Sequence, residues 1–234
     1  MLLISIPLLL TMAIFAYKRH ILDIKGSIAA FFIGLLTFEL GGIVTFLALL
    51  IFLVFGSLAT KYKYREKAKI GIAEDRRGTR SWGNVFGNGL AAVLFLIGEY
   101  LTQQDFFWVA TFSAIATANA DTLASELGKI FGKRPRLITN FKEVLPGTNG
   151  AISLQGEFFA LVGAFVIGLI AMLKMSYKWE IFFSTVIGGF VGCNVDSIIG
   201  ATIENKGWFN NDLTNFTATF IGALVGIGVF ILLR

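Results

Sequence analysis

Apolar runs of roughly 15 to 22 residues, separated by short charged segments, take up most of this chain, and as helices they approach the thickness of a bilayer. A soluble domain has no way to bury so many. Composition agrees: 56% of the residues are hydrophobic and only 15% are charged. The 26 glycines suit close packing between membrane helices. The expected fold class is all-α, a polytopic integral membrane helix bundle forming a single transmembrane domain over residues 1–234.

The runs place candidate spans at Leu2–Tyr17, Gly26–Leu40, Gly42–Lys61, Val85–Tyr100, Phe106–Leu127, Ser153–Lys174, Trp179–Ile203 and Leu213–Leu233. That makes about eight transmembrane helices, or seven if Gly41-Gly42 is a kink rather than a turn. The first run lacks a preceding basic region and a small-residue cleavage site, so it reads as a retained helix. The second and fourth are short. Fifteen residues reach only about 22 Å, less than the roughly 30 Å hydrocarbon core.

Charge sets the expected orientation. Lys18–Lys25, Tyr62–Arg80 and Lys129–Gly150 are all strongly basic, and the positive-inside rule puts all three on the cytoplasmic side of a cell membrane. Residues 62–84 and 128–150 are the long loops on that side. The net charge of +5 is thus accounted for without nucleic acid. Cys193 has no intrachain partner, and the single histidine, His20, lies in a basic loop, so disulfide, zinc and histidine-dependent chemistry are poor candidates. Lys61–Lys69 is expected to extend the third span as a solvated basic anchor.

Two polar stretches interrupt the apolar pattern. Asn119-Ala-Asp121-Thr-Leu-Ala-Ser125-Glu126-Leu-Gly128 ends the fifth span, and Asn194-Val-Asp196-Ser197 echoes it in the seventh. Ionisable groups at membrane depth are costly and usually face a cavity or a partner. Asp121 and Ser125 share a helix face, whereas Glu126 lies about 140° from Asp121 and joins it only if the helix breaks. Carboxylates beside a basic, glycine-lined surface suit Mg²⁺, which is held through a few carboxylates and substrate phosphates. The bland alternative is pairing with lysines or a proton path. Asn84 reads equally as an N-cap and Asn88 as an interhelical hydrogen bond. Gly128–Arg136 and Lys142–Gly150 combine glycines, cations and the Thr148 hydroxyl, enough to hold phosphate without being a Walker A loop.

These residues also carry a resemblance. Ala118–Gly128, Pro135-Arg-Leu-Ile-Thr139, Pro146-Gly-Thr-Asn-Gly150 with Ser153, and Gly188–Gly192 leading to Asp196-Ser197 resemble the DUF92 / transmembrane protein 19 family, which includes a plant chloroplast phytyl-phosphate kinase. More distantly, Asp121-x3-Ser125-x2-Gly128-x2-Phe131-Gly132-Lys133 with Lys142 is similar to CTP-dependent polyprenol kinases and CDP-lipid synthases.

The resemblance implies a membrane kinase that moves a phosphoryl group from CTP, or another nucleoside triphosphate, onto an isoprenoid or phytyl-type lipid monophosphate. It implies Asp121, Lys133, Lys142 and Asp196 as catalytic residues. Asp121, Glu126 and Asp196 would hold Mg²⁺. Asn84, Asn88, Asn119, Ser125, Gly128, Gly132, Arg134, Arg136, Gly147, Thr148 and Asn194 would hold nucleotide or acceptor. No transit-peptide pattern precedes the first helix, so a prokaryotic or archaeal member acting on some isoprenoid phosphate is expected. A cytidylyltransferase making a CDP-lipid uses the same substrates, and a transporter built on the Asn-x-Asp echo is the alternative of another class.

Overall fold

The computed structural model describes residues 2–234 and is almost entirely helical. Helix α1 spans Leu2–Lys18 and α2 spans Ile24–Lys61, the latter started by Asp23, whose side chain accepts from the Gly26 N–H at 2.6 Å. As one straight rod α2 would measure about 57 Å. It is instead folded on itself at Gly42, whose φ of 75° and ψ of −176° lie in a region reserved for glycine. The rings of Phe38 and Phe46 meet edge to face at 5.6 Å, and Gly26 and Gly56 both pack against Arg80. At the far end the Lys61 ammonium donates to the Arg19 carbonyl at 3.0 Å. Gly41-Gly42 is therefore a tight turn between two antiparallel spans, and the seven-span alternative falls away.

After α2 the chain does not continue as an exposed extension. It breaks at Lys63, in the left-handed region with φ 48°, and turns back as α3 (Tyr64–Lys69). A short turn, α4 (Asp75–Gly78), follows, with Arg76 and Arg77 also left-handed. Helix α5 (Trp82–Thr102) starts earlier than the apolar run, because Ser81 and Asn84 close a capping box. Helices α6 (Phe106–Phe131), α7 (Leu154–Ala171), α8 (Lys178–Thr202) and α9 (Asn211–Leu233) complete the bundle, with a 3-10 turn at Glu204–Lys206. Among the described residues, five helices, α2 among them, are long and apolar enough to cross a membrane by length and composition. With α2 counted as two, this is an integral membrane helix bundle.

Helix α6 is the axis of the molecule and packs against α2, α5, α7, α8 and α9. Its middle, Val109–Ala120, is buried on every side. Without a hydrophobic drive between helices in lipid, close approach needs small residues. They are present: Ser113 and Thr117 of α6 fill the space a side chain would need at Gly188, Gly192, Gly222 and Gly226 of α8 and α9. Asn119 belongs to this packing. Its amide donates to the Gly163 carbonyl of α7 at 2.9 Å, fully buried.

The long loop after α6 is pinned by a two-stranded antiparallel ribbon, β1 (Arg136–Leu137) with β2 (Ala151–Ile152), in the register Arg136 to Ile152. Gly150, at φ 74°, abuts Ala201 and the Ser197 carbonyl, a contact with no room for a side chain. The loop is thus seated on the end of α8 close to Asp196.

Candidate active site

Helix α6 runs between two cavities at the basic end of the bundle. The first, about 390 Å³, is bounded by the α4 turn and the starts of α5 and α9, and Arg76, Arg80, Asn84, Asn88, Asp212 and Asn215 line it. The second, about 190 Å³, is bounded by α7, α8 and the pinned loop, and Lys129, Gly147, Thr148, Glu157, Asp196 and Glu204 line it. Asp121 and Ser125 line both. They form the wall between the two cavities because they are four apart on one helical face. Asp121 and Asp196, on different helices, meet in the second cavity.

Neither carboxylate has a hydrogen-bond or ion-pair partner among the described residues, and Asp196 Oδ2 is sealed from solvent. Other acids nearby are engaged. Glu204 accepts from Thr214 at 2.8 Å and from Asn149 at 3.2 Å, and Glu157 accepts from Asn194 at 3.1 Å. Buried carboxylate oxygens without donors want a cation. Such an oxygen on Asp196, with the unpaired Asp121 carboxylate lining the same cavity, suits Mg²⁺, which takes one or two carboxylates and completes its shell with water and phosphate.

Glu126 does not join them. Helix α6 continues unbroken to Phe131, and Glu126 is turned into the bundle, where its two oxygens are held by Lys67 and by Lys129, the latter at 2.8 Å. Among the described residues no group of three or more His, Cys, Asp or Glu is placed to hold a metal ion. The expected trio of Asp121, Glu126 and Asp196 is thus not assembled, and only the two aspartates remain as a pair. Lys67 is equally unlike its expectation: it is completely buried, donating also to the Thr60 carbonyl at 2.8 Å, rather than solvated. Lys129 reaches across to Glu74 at 3.0 Å. Burial pushes the Glu74 carboxyl up, but the Lys129 ammonium outweighs it and holds the group below its ordinary value.

The cations around the cavities differ from those expected. Lys133, Arg134, Arg136 and Lys142 stand exposed on the pinned loop and line neither cavity. The Lys133 backbone N–H is bonded to Gln155 at 3.0 Å and the Arg136 guanidinium to the Phe141 carbonyl at 3.4 Å. Arg76, Arg80 and Lys129 line the cavities instead. Arg80 is fixed by its backbone, which exchanges bonds with Ile21 and Asp23 at 2.9 and 3.0 Å. Its guanidinium lies 5.0 Å from the centre of the Phe52 ring, over Gly56. Burial draws that guanidinium below its ordinary value, opposed by the carboxylates of Glu126, Glu74 and Asp121.

The remaining expected contacts divide in the same way. Asn84, Asn88, Ser125, Gly128, Gly147 and Thr148 line a cavity. Asn84 also caps α5 and donates to Asp212 at 3.3 Å, while the Asn88 amide donates to the Asn84 carbonyl at 2.9 Å. Asn119 and Asn194 do not line one, since both serve helix packing, and Gly132 is close against Ser153 at the start of α7.

A family model described as integral membrane protein DUF92 matches residues 7–223. An uncharacterized membrane protein of Methanocaldococcus jannaschii is 34% identical over 97% of this chain and 93% of its own length. One of Synechocystis is 33% identical over 94% of this chain and 87% of its own. The chloroplastic protein VTE6 of Arabidopsis thaliana is 32% identical over 88% of this chain and 64% of its own. No solved structure matches significantly.

Proposed function

The chain belongs to the DUF92 family of integral membrane proteins, and from that premise we propose that it is a kinase converting an isoprenoid or phytyl-type lipid monophosphate to its diphosphate, with CTP or another nucleoside triphosphate as donor. One observation carries this reading: two unpartnered aspartates, Asp121 and Asp196, share a cavity that adjoins a second, arginine-lined one. The likeness to VTE6 and the family resemblance carried by Ala118–Gly128 add to it. The positive-inside rule favours the cytoplasm for this end, where nucleotides are available.

In the proposed reaction an oxygen of the acceptor phosphate forms a bond to the γ-phosphorus. The bond from that phosphorus to the β–γ bridging oxygen breaks, and its electron pair leaves with the nucleoside diphosphate. A phosphate dianion as acceptor has no proton to lose, so no general base is required. The barrier is set by placing two anions together and stabilising their charge. Mg²⁺ held by Asp121 and Asp196 would neutralise the β- and γ-phosphates. Thr148 and the Gly147 turn at the second cavity, with Lys129 beside them, would hold the nucleotide phosphates; Arg80, Asn84 and Asn88 at the first would orient the acceptor.

The test is incubation of the purified protein with labelled CTP or ATP, Mg²⁺ and a panel of isoprenoid monophosphates. Lipid diphosphate and nucleoside diphosphate are expected. CDP-lipid and pyrophosphate would instead establish cytidylyl transfer. Nucleotide-independent flux in liposomes, with no product of either kind, would establish transport.

A further inference from the structure

Resting on the kinase reading, we propose that the acceptor is a lipid monophosphate with one apolar chain, lying in the groove between α1, the two halves of α2 and the start of α5, with its phosphate on Arg80. This groove, about 390 Å³, is lined by Leu9, Ile33, Phe46, Leu49, Phe52 and Leu53 and is apolar along its length. Its size is that of sites holding one small ligand. Arg80 and Asn84 are the two residues that line both this groove and the Asp121 cavity. A chain in the groove therefore ends where the polar cavity begins.

The state of Arg80 names the headgroup. Its backbone is anchored at both N–H and C=O, while its guanidinium rests on Phe52 with no hydrogen-bond acceptor and no ion pair among the described residues. Of the three acids whose charge reaches it, Glu126 is held by Lys67 and Lys129 and Glu74 by Lys129, while Asp121 lines the same cavity without a hydrogen bond or ion pair to it. A planar fork of free donors, pinned in place beside an apolar groove, matches a phosphate oxygen pair. Bilayer lipid would fill any such groove, but a neutral lipid leaves these donors unpaired, at a cost that a monophosphate removes.

The test uses a C20 isoprenyl monophosphate carrying a diazirine on its chain, added to the protein in phosphatidylcholine nanodiscs. Crosslinks are expected in residues 9–16 and 46–54. Unlabelled isoprenyl monophosphate should compete at least tenfold better than the isoprenyl alcohol or phosphatidic acid. Arg80→Gln should abolish the preference over the alcohol, a ten- to a hundredfold loss for a charge-assisted pair. Ala30 also lines the groove, and Ala30→Trp, which fills it, should block labelling and leave Mg²⁺–CTP binding intact. Labelling elsewhere, equal competition by the alcohol or by phosphatidic acid, or an unchanged preference in Arg80→Gln would overturn the assignment. The labelling pattern of the native protein decides even if Ala30→Trp fails to fold. Correct labelling without lipid diphosphate would reject the kinase and keep the lipid site; diphosphate formation with labelling elsewhere would do the reverse.

Discussion

Lys67 and Glu126 form an ion pair with both side chains removed from solvent, 0% and 2% exposed, although one stands on a short helix of a basic loop and the other on the central helix. Burying two charges is costly, and the pair persists because Lys129 and two α2 carbonyls complete its hydrogen bonds. Its structural effect is to draw the α3 loop down onto α6, which sets where Glu74 and Arg80 can lie.

The two halves of this pair should therefore be unequal. Glu126→Leu strands the buried Lys67, leaving Lys129 with Glu74 alone, and is expected to cost about 3–5 kcal/mol, whereas Lys67→Met leaves Glu126 with Lys129 and should cost less. The double variant should recover part of the loss. Denaturant unfolding in detergent measures all three; equal losses in the two single variants would show that Lys129 does not hold Glu126.

Asp121→Asn and Asp196→Asn each remove a carboxylate that has no hydrogen bond or ion pair among the described residues. Stability should be unchanged or slightly raised, while lipid phosphate turnover falls by at least about a hundredfold, a loss typical of removing charge stabilisation at a transferring phosphoryl group. A thermal unfolding curve beside a product assay separates the two effects. Loss of fold in either variant would mean that the carboxylates are structural.

Loop cations and cavity cations can be told apart by substitution. Lys133→Ala, Arg134→Ala, Arg136→Ala and Lys142→Ala should each change turnover by less than about threefold, as expected for exposed charges whose effects are screened. Lys129→Ala should be far worse. A large loss at Lys133 or Lys142 would show that the pinned loop closes over the nucleotide.

Gly42→Ala forces a side chain into a backbone conformation that only glycine adopts without strain, at a cost of order 1–3 kcal/mol. Space is not the obstacle, since nothing lies within 4 Å of the missing Cβ. The variant should unfold earlier than the parent with the groove between α1 and α2 loosened, read as faster cysteine labelling at Phe46→Cys. Unchanged labelling would detach the turn from the groove.

The membrane spans were legible because lipid makes one demand, continuous apolar length, that any window of sequence displays. Asp121, Ser125 and Asp196 were legible for the same reason inverted: charge and hydroxyls where they are expensive need a cavity. The cations were not. Lys67 reads as a solvated anchor because its partner lies 59 residues away on another helix, and no local pattern encodes that meeting. The same holds for Arg80, whose position comes from Gly26 and Gly56 leaving room beside it. Asn119 misled in the other direction, since an amide within a polar motif looks like a ligand contact until Gly163 is seen opposite it. Motif residues on helices keep their spacing in the fold; residues on loops go where tertiary contacts send them.

The turn at Gly42 also bears on how the chain enters a membrane. Between the basic segments Lys18–Lys25 and Lys61–Lys69 the sequence holds two helices, one charged residue, Glu39, bonded to Ser5 at 2.6 Å, and a turn made of two glycines. No hydrophilic loop has to be carried across the bilayer, so the pair can insert as one hairpin with both basic ends on the same side. Arg80 then meets a hairpin whose two feet are already side by side.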